Sequence, residues 1–129
     1  MILAIDFDGT IVEDQFPEVG KMIPGASEAI NQLYADGYTI IIWSCRTGIK
    51  KTRAIEWLVM NGIKFHRFNE SCPTNIALHG GKDTRKVYAN IYIDDAALGC
   101  PLIYNKNFHS RPYVDWVRVD KMLEEMGVY

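Results

Sequence analysis

Residues 1–12 read Met-Ile-Leu-Ala-Ile-Asp-Phe-Asp-Gly-Thr-Ile-Val. The apolar run Ile2-Leu3-Ala4-Ile5 stops at two carboxylates, Asp6 and Asp8, and Gly9 and Thr10 follow at once. A short, continuous apolar run closed by a turn signal predicts a strand buried on both faces. Side chains two apart share a face of a strand, so Asp6 and Asp8 are expected to converge. Adjacent carboxylates at the end of a buried strand repel each other, and a hard divalent cation such as Mg2+ is the natural compensation. An Asp-Gly turn alone explains Asp8-Gly9 and leaves Asp6 without a reason.

Outward from this stretch, the chain is sized for one domain, residues 1–129, with enough material for a real core. A net charge of -2 argues against a general nucleic-acid binder, which would be strongly basic. No apolar run approaches membrane-spanning length, and no basic region precedes the N-terminal apolar run, so neither membrane insertion nor export is expected. The cysteines, Cys45, Cys72 and Cys100, are odd in number and lack C-x-x-C spacing. They predict no disulfide frame and no zinc site, and a reducing cytoplasm fits them. His66, His79 and His109 show no ligand-like spacing.

A polar, turn-prone piece runs from Glu13 to Gly25, and a helix is expected over Ala26–Ala35 on an Ala29, Ile30, Leu33, Tyr34 stripe, ended by Gly37. Tyr38–Trp43 is β-branched and predicts a second buried strand, stopping at Ser44. Thr47 is placed to cap a helix over Ile49–Asn61 that turns Ile55, Leu58 and Val59 inward. Ile63–Phe68 reads as a weaker strand, 69–85 as loop with a helical turn near Thr74–Leu78, and Ile91–Ile93 as a strand ending in Asp94-Asp95. Leu102–Tyr104 reads as a last short strand. Val114–Met126 reads as a helix, with Trp116, Val117, Val119, Met122 and Leu123 available for packing. Alternating strands and helices, with strands apolar throughout, predict an α/β fold: a three-layer, doubly wound, mainly parallel sheet. Sites in such sheets lie beyond the carboxyl ends of the strands, where Asp6, Asp8, Ser44, Asp94 and Asp95 all fall.

These pieces together resemble the haloacid dehalogenase-like superfamily of phosphohydrolases. The match rests on DFDGT at Asp6–Thr10, IIIWS at Ile40–Ser44, Lys86, and YIDD at Tyr92–Asp95, in the family's order, over a framework from Met1 to about Leu98. The resemblance implies a Rossmann-like core and hydrolysis of phosphate monoesters through a phospho-aspartate. Such esters demand roughly 20 kcal/mol or more of barrier reduction, and a covalent intermediate divides the task. It implies Asp6 as nucleophile and Asp8 as the acid and then the base, two roles that need different environments. It implies Mg2+ held by Asp6, the backbone carbonyl of Asp8, and Asp94, with Asp95 helping. Ser44 and Lys86 would steady the phosphoryl group. Asp8 itself favours phosphatase or phosphomutase chemistry, because the superfamily's dehalogenases lack this acid and its ion pumps carry Thr there.

Plainer readings stand beside these. Ser44 also fits a simple strand end, and Lys82 or Arg85 could serve in place of Lys86. Gly9, Thr10, Cys45 and Arg46 are candidate substrate contacts. Cys45 reads rather as packing, since no base accompanies it. Arg46, which follows Ser44 most closely, is the best placed of a cationic rim whose other members, Lys50, Lys51 and Arg53, equally fit a solvated helix face. Ile11–Gly25 has room for a flap and none for a cap domain, and Cys45–Arg85 has none either, so a capless protein with an open cleft is expected. Its partner would be a phosphorylated small molecule or another accessible phosphate ester, with a homo-oligomer possible. Gln15, Phe16 and Glu18 in the flap are candidate specificity contacts, and Phe108, Tyr113, Trp116 and Tyr129 read as packing. A phosphotransferase or phosphomutase of the same superfamily, and a non-enzymatic Mg2+-binding phospho-aspartate signalling module, are the competing functions.

Overall fold

In the computed structural model, residues 1–104 and 111–128 are described. Four strands, β1 (Ile2–Ile5), β2 (Thr39–Ile42), β3 (Arg67–Phe68) and β4 (Ile91–Ile93), form one sheet in the order β3-β2-β1-β4, and every pairing is parallel. The helices are α1 (Ala26–Ala35), α2 (Gly48–Met60), α3 (Pro73–Leu78) and α4 (Trp116–Glu125). Strands β5 (Leu102–Ile103) and β6 (Tyr113–Val114) make a separate antiparallel ribbon.

The period-2 alternation of β1 and β2 sorts the core into two faces. Leu3, Ile5, Ile40 and Ile42 pack with Ile30 and Leu33 of α1, Ala54 and Leu58 of α2, and Trp116, Val119 and Leu123 of α4. Ala4 and Ile41 point the other way, onto Val87 with Cys72 and Ala89, in the β3–β4 connection that carries α3. This is the three-layer, doubly wound arrangement expected, with the second layer reduced to that connection. The chain winds outward from β1 through β2 to β3, then returns to the opposite side of β1 as β4. The reversal leaves a crevice between the carboxyl ends of β1 and β4. Between β1 and α1 there is only a flap, tied by the Val12–Met22 bridge and by Glu13 N–H to Lys21 and Ile23 N–H to Ile11.

Several local expectations are corrected. Thr47 sits at the N-cap of α2 in extended conformation, yet its side chain makes no capping bond. Val59, Val117 and Met122 are exposed, because the helices turn narrower faces to the core than the apolar residues allow. The third strand is confined to Arg67–Phe68, and helix α4 begins at Trp116. Val114 is instead drawn into the ribbon opposite Leu102, and Asp115 caps α4 by accepting from Arg118 N–H. Tyr113 and Trp116 are buried as expected; Phe108, His109 and Tyr129 lie outside the described residues.

The last segment also reaches the first loop. Val114 N–H donates to the Gly9 carbonyl at 3.0 Å. The Trp116 indole N–H donates to the buried Thr10 carbonyl at 2.7 Å. Trp116→Phe keeps an aromatic ring and strands that carbonyl, so it is expected to lower stability by about 1–3 kcal/mol. Urea unfolding followed by circular dichroism measures this, and a loss near zero would show that the bond carries no weight.

Candidate functional site

The parallel register sets the ends of β1, β2 and β4 level. Asp6 N–H continues the ladder to the Ile93 carbonyl at 2.9 Å, and Trp43 N–H continues it to Ile5. Asp6 therefore emerges between Ser44, beyond β2, and Asp94, beyond β4. Asp6, Trp43, Ser44, Cys45, Arg85 and Asp94 line a cleft of about 290 Å³. Carboxylate oxygens of Asp6, Asp94 and Asp95 lie within 4.8 Å of one another, a set of hard donors that could hold a metal ion.

The electrostatics follow from this crowding. Burial, the Asp95 carboxyl and the charge of Asp94 push the Asp6 carboxyl up from its ordinary 3.8 to about 9, against the Thr10 hydroxyl, which pulls it down. Asp95 is raised as well, mainly by burial and by Asp94, with its bond to Asp6 acting the other way. Without a cation the cluster resists full ionisation.

Asp8 does not join this cluster. The Arg46 guanidinium forks its carboxylate, with Nη2 to Oδ1 at 2.7 Å and Nε to Oδ2 at 2.8 Å. The two acids of the first loop do occupy different environments, and Asp6 is the one pushed toward holding a proton. The reason is that Asp6 faces two further acids and Asp8 faces an arginine.

Three other expected contacts are corrected. Arg46 is no rim residue: it is 1% exposed and bonded within the protein. Thr10 is fully buried; its hydroxyl donates to Asp6 Oδ2 at 3.0 Å and accepts from Asp95 N–H at 3.2 Å, so it fastens two acids rather than a substrate. Gly9, at φ 84°, serves by absence, since a Cβ there would stand 2.3 Å from Asp95 Oδ2. Ser44 and Cys45 do line the cleft, and exposed Cys45 is not packing. Arg85 is the basic residue that lines it. Lys86 holds its ammonium 5.0 Å from the centre of the Tyr92 ring, outside that lining. Of the flap residues, Gln15, Phe16 and Glu18 are exposed.

Asn69 was missed by the sequence reading. Its Oδ1 accepts from Ser44 N–H at 2.7 Å and its Nδ2 donates to the Arg46 carbonyl at 3.4 Å, holding the loop after β2. It does so from φ 58°, a left-handed conformation that Asn tolerates better than most residues. An Asn directly after a short strand was the available signal. The histidines do other work: His66 Nδ1 accepts from Ile40 N–H and its ring stacks on Tyr34, and His79 Nδ1 meets the Asn75 carbonyl. A separate cavity of about 260 Å³, between β4 and α4, is lined mostly by apolar residues such as Ile93, Leu98, Leu123 and Met126. Its one thiol, Cys100, is pushed up by burial, which works against a reactive thiolate.

No protein-family model matches the chain, and no curated protein matches it. A solved structure of a conserved protein from Bacteroides thetaiotaomicron is similar, with 34% sequence identity and a TM-score of 0.78 over 98% of this chain and 91% of that one. At that identity and coverage the two chains belong to one family, which supports the fold along nearly the whole length. No helix among the described residues is long and apolar enough to cross a membrane.

Proposed function

We propose that this protein is a Mg2+-dependent phosphomonoester hydrolase that works through a phospho-aspartate on Asp6. One observation carries the reading: a carboxyl group, a hydroxyl and a guanidinium line one cleft at the ends of the parallel strands, beside a cluster of three acids that could hold a metal ion. The motif resemblance to the haloacid dehalogenase-like superfamily supports the same chemistry, and the open flap suits an accessible ester.

In the proposed reaction an Asp6 oxygen attacks phosphorus, forming a P–O bond to the enzyme. The ester P–O bond breaks, and its electron pair leaves with the alkoxide, which takes a proton from Asp8. Water then attacks phosphorus, the bond to Asp6 breaks, inorganic phosphate departs and the proton of the water returns to Asp8. Ser44 and Arg85 hold the non-bridging oxygens, Arg85 in the part the sequence reading assigned to Lys86. Asp6, Asp94 and Asp95 fit Mg2+, whose charge would offset repulsion between the acids and the phosphate. For Asp8 to give up a proton it must first carry one, and a neutral carboxyl accepts the Arg46 fork more weakly than a carboxylate does. The fork is therefore expected to loosen during turnover.

A screen of phosphate esters with and without Mg2+ tests the reading. Mg2+-dependent release of inorganic phosphate is expected, and its absence across sugar, nucleotide and aryl phosphates would overturn it. Stable labelling by acetyl phosphate with no phosphate released from esters would favour the signalling module, and transfer to a second acceptor would favour a phosphotransferase.

The cluster makes a further prediction that needs no substrate. Asp6 has a folded pKa of about 9 against an ordinary 3.8, so between these values the folded protein binds a proton that the unfolded chain has released. Its contribution to stability is therefore complete below about pH 4 and lost as pH rises toward 9. Metal-free protein should melt at progressively lower temperature over that range. Saturating Mg2+ should raise the melting temperature most at the alkaline end, where the acids are ionised. Differential scanning calorimetry at several pH values, with EDTA or Mg2+, checks both signs.

A further inference from the structure

Arg46 spends its whole donor capacity inside the protein. Its five N–H groups find five acceptors: the two Asp8 oxygens, the carbonyls of Pro17 at 3.0 Å and Glu18 at 2.8 Å, and the Lys50 carbonyl at 3.3 Å. The guanidinium lies 5.2 Å from the ring centres of both Phe7 and Phe16. Its own backbone N–H donates to Ser44 Oγ at 3.1 Å. One side chain thus joins the first loop, the flap tip and the first turn of α2, and leaves no donor for a phosphate. The flap tip around Phe16, Pro17 and Glu18 is otherwise exposed.

We infer that Arg46 is a positioning residue that couples the flap to Asp8, so that the orientation of the Asp8 carboxylate depends on the flap being docked. The functional half of this inference rests on the phosphomonoesterase reading; the coupling itself does not. A buried guanidinium must keep its acceptors, and the flap carbonyls and the Asp8 carboxylate satisfy the same planar fork. Loss of either side frees donors that then compete for the other, so displacement of the flap re-aims Asp8 and neutralisation of Asp8 loosens the flap. Lysine at this position would keep the charge but lack the fork.

Hydrogen exchange on the full chain tests the coupling without substrate. In Asp8→Asn and in Arg46→Lys, amides of residues 13–21 should exchange about tenfold faster or more, while β1, β2 and α1 keep wild-type rates. Unchanged flap exchange in Asp8→Asn overturns the inference, and so does uniform acceleration across the chain, which would mark Arg46 as merely structural. A second readout compares kcat/KM of Arg46→Lys on an alkyl phosphate and on a nitrophenyl phosphate, whose leaving group needs little protonation. The loss should be larger on the alkyl ester by roughly tenfold or more. Equal losses on both overturn positioning through Asp8. Wild-type protein that hydrolyses neither ester overturns the proposed function instead, and the exchange result alone then decides the coupling.

Discussion

Asp6→Asn is expected to reduce Mg2+-dependent turnover by about 10⁴-fold or more while leaving the fold standing. The substitution is nearly isosteric. Its amide oxygen can still accept from the Thr10 hydroxyl, which bonds Asp6 Oδ2 in the native protein. What disappears is the proposed nucleophile and one of three clustered carboxyl groups. Stability should move the opposite way to activity. Asn stays neutral in both the folded and the unfolded chain, whereas wild-type Asp6 costs stability progressively as pH rises from about 4 toward 9. The variant's advantage in metal-free protein is therefore already present at pH 6 and larger at pH 9. The variant should also lose much of its thermal response to Mg2+. Steady-state phosphate release and paired melting curves at pH 6 and pH 9 check the prediction, and activity within tenfold of wild type would remove Asp6 from the nucleophile's role.

Gly9→Ala should damage function more than its size suggests. The backbone at φ 84° already disfavours an L side chain, by about 1–2 kcal/mol. A methyl group there would stand 2.3 Å from Asp95 Oδ2 and 2.6 Å from its Cγ, so Asp95 must swing aside. Because the atoms met belong to a short side chain and not to backbone, the fold accommodates the change at a cost of about 1–3 kcal/mol. The acid cluster does not accommodate it, and displacement of a positioned group by about 1 Å is enough to lower turnover by roughly 100-fold. Isothermal titration with Mg2+ should show weakened binding, and kcat should fall in step. Adding Asp95→Ala should recover part of the lost stability and none of the activity. If the double variant were no more stable than Gly9→Ala, the clash would not be the cause.

Much of the frame was legible because it depends on local pattern. The continuous apolar runs of β1 and β2 imply strands buried on both faces, and carboxylates or a hydroxyl at their ends imply a shared rim. Asp6, Ser44 and Asp94 duly meet in one cleft. Arg46 illustrates what was not legible. Beside Ser44 it reads as a cation awaiting a phosphate, because nothing in its neighbourhood reveals that Pro17 and Glu18 will bring two carbonyls over it. The partner of a charge is set by tertiary approach, not by spacing along the chain. The same limit hid Asp8's pairing, Asn69's hold on Ser44 and the choice of Arg85 over Lys86 as the cleft's cation. It also let Val114 read as helix, since its ribbon partner Leu102 lies beyond any local window. Thr10 looked like a substrate contact for a related reason: its hydroxyl is free in sequence and occupied in space.

The hydrogen bond from Trp116 to Thr10 spans 106 residues of chain. A ribosome working at roughly 5–20 residues per second needs between about 5 and 20 seconds to cover that distance. Throughout that interval the nascent chain carries Asp6 and Asp8 on a loop whose buttress does not yet exist. The first loop is thus set in place only after α4 has been made, long after the loop itself has left the ribosome.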